Sequence, residues 1–405
     1  MNLIYSKAYI KVLTFFAALT LCVTFLSNSL LNVAFILFGL CSLFTFNKNI
    51  ILKNYDILIA VILFFTSGLI SNFYNFSELY SISKSFRGLR FFFFAPFMVM
   101  AFVHLFENIN FKKEKRIRVF NLFLILTSLA TLSGLIGLYT GFNYLRLKPV
   151  NHMIRNSGMY GMYMTYAYGI SLFLTLNIGA LFHYKRFQNI VSFPILLTSA
   201  IVNLVGLYFS YTRGALLGLF FGLPFIFFKS RQKLMLFFSM ILIIFSSFVF
   251  LTAPGKELFL SPERKLSSQQ RIAFFKGAYF GFLESPIFGL GVKNIEPNME
   301  RLKVANKVED SRSGHSHNIY LEVLANQGAI GFILLMLFFF FGIKSFYQIN
   351  NGAGMIAVAF MANFCFSGLF QNTFGDSENL QFMILVWSMF SAWIIVNKRS
   401  CLKSL

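Results

Sequence analysis

Charge is scarce in this chain. Only 12% of its 405 residues are Asp, Glu, Lys or Arg, while 57% are hydrophobic and the mean hydropathy is +0.69. Those values exclude a soluble globular domain and leave a polytopic membrane protein. Cysteine is equally sparse: Cys22, Cys41 and Cys365 fall inside apolar runs and Cys401 lies in a basic tail, so neither a disulfide framework nor a CxxC metal pattern is available. Acidic residues number 14 against 35 basic ones, for a formal charge of +21. A nucleic-acid binder carries such an excess on a soluble face, not between runs of Phe and Leu, so no nucleic-acid partner is expected. Internal repeats, low-complexity tracts and a second soluble domain are missing as well.

What is abundant is apolar sequence. A bilayer core takes roughly 20 apolar residues per helix, and about twelve such runs follow one another, from 10–26 to 380–396 and including 91–106, 158–181, 215–228 and 319–343. The expected fold is an all-α polytopic membrane protein, a single integral domain over 1–405. Lys7 precedes the first run and Lys11 stands at its start, with no convincing cleavage site after it, which predicts an uncleaved first span. With the N-terminus inside, Lys48, Lys53, the cluster Lys112 to Arg118, Lys185, Arg186, Lys229, Arg231, Lys233, Lys344, Lys398, Arg399 and Lys403 all fall on the cytoplasmic side. The positive-inside bias therefore holds throughout and places both ends in the cytoplasm. One long segment, 254–317, stays outside and holds half of the acidic residues, and a loop of that length tends to be functional. Within it Ser267 and Gln270 have capping-box spacing, and Ile272, Phe275, Tyr279 and Phe282 recur at helical intervals. They predict a helix lying on the membrane with its apolar side down.

Several outward basic residues run against the topological bias: Lys84, Arg87 and Arg90 in SKSFRGLR, Arg146, Lys148 and Arg155 in YLRLKPVNHMIRNSG, Arg213 in SYTRGALLG and Arg271 in SSQQRIAFF. Their common face suits an anion. Arg213 stands at the outer, positive end of a span, where a phosphate would be bound well; alone, it could equally snorkel to headgroups. His315 and His317 stand at the same kind of end. A positive helix end keeps an imidazole neutral and able to accept a proton, which suits a general base. The competing reading is that His317 and Asn318 cap the helix, Asn being the better cap former. His315 and His317 with Glu309, Asp310 and the distant His152 offer only a weak metal pattern. No Gly-rich phosphate loop, Ser-His-Asp order or paired carboxylates appear on that side.

The residues His317-Asn318, then Gly328 and Gly331, resemble the pattern H-[NSQ]-x9-G-x2-[GTY] of the O-antigen ligases. TRGALLG at Thr212 to Gly218, QQRIAFFKGAYFGFLESPIFGLGVKN at Gln269 to Asn294 and, more weakly, RNSGMYG at Arg155 to Gly161 are similar to further elements of that family. The resemblance implies a GT-C-like glycosyltransferase architecture, with about twelve spans in a bacterial inner membrane and a large periplasmic loop containing helices. It implies transfer of O-antigen polysaccharide from undecaprenyl pyrophosphate to a hydroxyl of lipid A core, on the periplasmic face and among membrane lipids. By the same resemblance Arg213 and Arg271 bind the donor pyrophosphate and His317 is the base. Lys84, Arg87, Arg90, Arg146, Lys148, Arg155, His315 and Asn318 are expected around the substrates. Arginines in the place of a metal make the reaction metal-independent and free of cofactors, and inversion is expected of a single displacement. The histidine motif also fits a surface-polysaccharide polymerase. A protein oligosaccharyltransferase is disfavoured because no soluble domain follows the last run, and a transporter because few charges lie within the runs.

Overall fold

The computed structural model describes residues 7–47, 55–108, 113–251, 253–310, 312–349 and 351–403; Lys48, Lys53 and Lys112, among the expected inner charges, lie outside the described residues. The chain folds into helices α1 (Lys7–Val23), α2 (Asn28–Leu43), α3 (Tyr55–Tyr74), α4 (Ile82–Asn108), α5 (Lys113–Thr140), α6 (Tyr163–Phe182), α7 (Phe193–Tyr208), α8 (Arg213–Gly222), α9 (Arg231–Leu251), α10 (Ala253–Leu260), α11 (Pro262–Glu284), α12 (Ile295–Ala305), α13 (Ile319–Gln348), α14 (Gly352–Gly368) and α15 (Ser377–Lys403). Each of the twelve apolar runs coincides with one of them. Among the described residues α4, α6, α9, α13, α15 and the 116–140 part of α5 are long and apolar enough to cross a membrane, and shorter apolar helices stand beside them. Large apolar side chains face outward along the periphery, with Leu236 at 72% and Ile243 at 66% exposure on α9. So much exposed hydrocarbon is stable against lipid and not against water. This is a multi-pass, all-α membrane protein.

Inside such a bundle lipid and side chains are equally apolar, so close backbone approach and polar contacts hold helices together. The centre here is α14, which packs against α6, α8 and α13. Asn363 donates to the Ser171 carbonyl at 3.0 Å and to Thr175 Oγ1 at 2.7 Å, and Ser367 donates to Asn363 Oδ1 at 2.9 Å. Gly222 lets α8 approach, since a Cβ there would stand 2.6 Å from that of Asn363. Pro224 follows in a short 3₁₀ segment that continues α8.

Three local expectations are corrected. Helix α4 begins at Ile82, ahead of the apolar run 91–106, so Lys84, Arg87 and Arg90 occupy its first turns. Helix α6 begins at Tyr163, because the preceding chain is spent on a hairpin, β1 (Phe142–Asn143) against β2 (Lys148–Pro149), and on turns. Helix α11 begins at Pro262, whose fixed φ suits a first helical position. Ser267 and Gln270 therefore lie inside the helix and the capping box does not form. On the side expected to be apolar, Ile272 and Tyr279 are exposed and Phe275 and Phe282 half-buried, while Phe274 and Ala278 pack on Ile295, Met299 and Leu302 of α12.

The decisive irregularity is in α13. Gly328 has φ 65° and ψ −167°, a region essentially closed to other residues, and the ladder breaks there. The exposed backbone groups pair with the turn 286–291: Ala329 N donates to the Pro286 carbonyl (2.8 Å), Leu290 N to Ala325 O (2.9 Å) and Gly291 N to Asn326 O (2.9 Å). Asn294 continues the seam, its backbone N–H donating to Asn326 Oδ1 and its side chain to the Glu78 carbonyl. Asn72 accepts from Val292 N at 2.7 Å. The turn is thereby fastened to both α3 and α13. A Cβ at Gly328 would lie 2.2 Å from the Ile287 carbonyl oxygen. Gly328→Ala is predicted to lower the thermal midpoint of the purified protein, costing at least about 1–3 kcal/mol, whereas Gly342→Ala, whose Cβ would make ordinary contacts at 3.5 Å, leaves it near the original value.

Candidate active site

Four segments distant in sequence meet at the mouth of a cavity of about 450 Å³ lined by Arg155, Arg213, Arg271, Gln270, Glu257 and His317, among others. Arg213 opens α8, whose N-cap residue Thr212 makes no side-chain cap bond; first-turn N–H groups of such a helix, and its positive end, favour a negative ligand. Arg271 projects from α11, the helix that the Gly328 seam holds over the bundle. The guanidinium of Arg155 lies 4.4 Å from the ring centre of Tyr163, which also lines the cavity. Among the described residues neither Arg155 nor Arg271 has a carboxylate within ion-pair distance.

His317 enters from the loop before α13, with the left-handed φ of 51°. Three sets of bonds shape that loop. Asn318 is the N-cap: its Oδ1 accepts from Tyr320 N at 2.9 Å and Leu321 N at 3.0 Å, and its Nδ2 donates to the Leu369 carbonyl. The buried Glu322, one turn into α13, accepts from the backbone N–H of Ser316 at 2.8 Å and from its hydroxyl at 2.7 Å. Asp310, held well below the usual carboxylate range mainly by Arg312, also meets the buried Lys303 at 3.1 Å, whose ammonium lies 4.1 Å from the Phe274 ring centre. The Phe274 and His317 rings meet in a T-shaped pair, centroids 5.7 Å apart.

The two histidines are distinct. His315 accepts from the backbone N–H of His317 through Nδ1 at 3.1 Å, and burial, with His317 and Arg271 adding to it, pushes its pKa down to about 3. It is a neutral brace. His317 Nδ1 lies 2.9 Å from Oε1 of Gln371. Burial is also the main cause that lowers the His317 pKa, the Gln371 bond opposing it and Arg271 reinforcing it. The ring is neutral at neutral pH and lines the cavity that the arginines share.

Of the residues expected at a substrate, the cavity gathers Arg155, Arg213, Arg271 and His317, with His315 behind. Asn318 has its amide engaged in the helix cap and in Leu369. Lys84, Arg87, Arg90, Arg146 and Lys148 do not line the cavity: Arg87 donates to Ser83, Arg90 to Asn32 at 2.8 Å, and Arg146 to the Tyr160 carbonyl at 3.0 Å, while Lys84 and Lys148 are exposed. Sequence reasoning missed Gln371, Glu257 and Glu322. Only Glu322 left a trace, as an acid in the first turn of an apolar helix; Gln371 reaches His317 across 54 positions of chain. Among the described residues no group of three His, Cys, Asp or Glu side chains is gathered as a metal site would need.

Residues 198–336 match the family model described as O-Antigen ligase, a stretch that includes Arg213, Arg271, His317 and Gly328. No curated protein matches the chain. Because a buried neutral ring resists protonation, the His317 imidazole is predicted to titrate below the usual ~6.5 of histidine when followed by NMR in ring-labelled protein. Arg271→Gln should move the midpoint up, and a midpoint at or above the usual value in the unaltered protein would contradict this site.

Proposed function

We propose, on the match of residues 198–336 to the O-antigen ligase family model, that this chain transfers O-antigen polysaccharide from undecaprenyl pyrophosphate to a sugar hydroxyl of lipid A core. The observation that carries the proposal is the cavity that a neutral histidine and three arginines line together. The pyrophosphate lies against Arg213, Arg271 and Arg155 and the open end of α8. Arginine stays charged and grips phosphate oxygens in pairs. As the acceptor hydroxyl attacks the anomeric carbon, its proton passes to His317. The bond to the pyrophosphate breaks with its electron pair leaving on oxygen, where the arginines meet the growing charge. Retention would need two carboxylates about 5 Å apart, and Glu257 is the one carboxylate among the described lining residues; that supports a single inverting displacement.

In this reading all twelve apolar helices cross the bacterial inner membrane as one domain over 1–405, both ends are cytoplasmic, and 254–317 is the periplasmic segment that contains α11 and α12. Undecaprenyl chain and lipid A core approach from the lipid, along the exposed Phe- and Leu-rich helix faces. No cofactor takes part.

His317→Ala should abolish attachment of O-antigen, roughly a 10²–10⁴-fold loss, at unchanged membrane abundance, scored by lipopolysaccharide electrophoresis with lipid-linked polymer accumulating. Single capped repeats in a deletion strain would instead mark a polymerase. Arg213→Lys should cost more than tenfold in transfer rate if paired contacts matter; full activity would reduce its part to plain charge.

A further inference from the structure

Behind His317 lies a polar chain that the transfer reaction as described does not use. Gln371, in the loop between α14 and α15, is buried and places Oε1 2.9 Å from His317 Nδ1. Its Nε2 donates to Asp376 Oδ2 at 3.3 Å, and Asp376 Oδ1 accepts from Thr165 Oγ1, at the start of α6, at 3.1 Å. All three partners sit on segments outside the family match, which stops at 336.

The chemistry orders this chain in one direction. A carboxylate accepts and cannot donate, so Asp376 draws the amide nitrogen of Gln371 toward itself. The amide oxygen is then turned to His317, and an oxygen there requires Nδ1 to carry the proton. The lone pair is left on Nε2. With the amide reversed, Nδ1 would have to accept, the proton would move to Nε2, and the ring could no longer take a proton from a hydroxyl.

We propose that Gln371 and Asp376 are positioning residues that fix His317 as its Nδ1–H tautomer, so that Nε2 alone is free to act as the base. The inference rests on the reading of His317 as base. Once Nε2 has gained the proton, Nδ1–H keeps its bond to Gln371, and the Asp376 carboxylate one residue further back balances part of the new charge without repelling it from contact range. Other groups face the ring as well. Arg271 approaches from α11 and His315 from the same loop, while Arg155, Arg213 and Glu257 line the same cavity; among the described residues only Gln371 bonds its Nδ1.

The test is a set of variants assayed with lipid-linked donor and purified acceptor in reconstituted membranes. Gln371→Leu and Asp376→Leu should each lower kcat roughly 10- to 100-fold with donor KM unchanged. Asp376→Asn, whose carbonyl oxygen can still accept from Gln371, should restore most of the rate. Gln371→Glu, close in shape, sets a carboxylate on the imidazolium and should shift the acid limb of the pH–rate profile upward. In ring-labelled protein, the ¹⁵N spectrum should report Nδ1–H in the unaltered protein and lose that preference in Asp376→Leu. Unchanged kcat in both Leu variants, or an unmoved limb in Gln371→Glu, overturns the relay while leaving an inactive His317→Ala to support the base. Activity in His317→Ala overturns the base, and the relay with it.

Discussion

The architecture of the site hangs on a seam of backbone hydrogen bonds between the broken α13 and the turn 286–291. An unbroken helix has no free N–H or C=O to give in its interior. Gly328 creates such groups by leaving helical geometry, and the turn takes them up at 2.8 to 2.9 Å for three of its bonds. An unpaired backbone group at that depth costs several kcal/mol, so break and turn stabilise one another and neither is tenable alone. Through this seam α11 is anchored at its C-terminal end, and Arg271 is carried to a fixed place opposite α8.

Around that frame the electrostatics are arranged by separation of roles. Three arginines share a cavity with a histidine that must stay uncharged. Burial does most of this work, and the charge of Arg271 adds to it. The loop that bears His317 is held by bonds that do not involve its imidazole ring: Asn318 to the helix end, Ser316 to Glu322, and His315 to the backbone of His317 itself. A residue held with φ of 51° keeps that conformation only where its surroundings over-determine it, and these bonds supply that constraint.

The same economy of polar groups appears inside the bundle. Asn363, Ser171, Thr175 and Ser367 satisfy one another where α6, α8 and α14 cross. The outer surface is given to hydrocarbon.

Much of this was legible in the chain itself. Runs of apolar residues fix helices wherever they occur, because backbone groups in lipid can be satisfied only internally, and all twelve runs are helical. The pattern from His317 to Gly331, the TRGALLG stretch and the arginine of QQRIAFF named three of the four residues that the cavity unites. What local sequence could not settle was which basic residues converge. Arg90, Arg146 and Arg155 have similar surroundings in sequence, yet only Arg155 lines the cavity, since Asn32 and Tyr160 engage the other two. Nor could it reveal that α11 starts at Pro262, that Gly328 is a break and not a mild bend, or that Gln371 stands behind His317. Helix formation and membrane placement depend on neighbours a few residues apart and are written in the sequence. The tautomer of a histidine and the meeting of arginines depend on contacts between residues tens to hundreds of positions apart, and only the tertiary packing decides those.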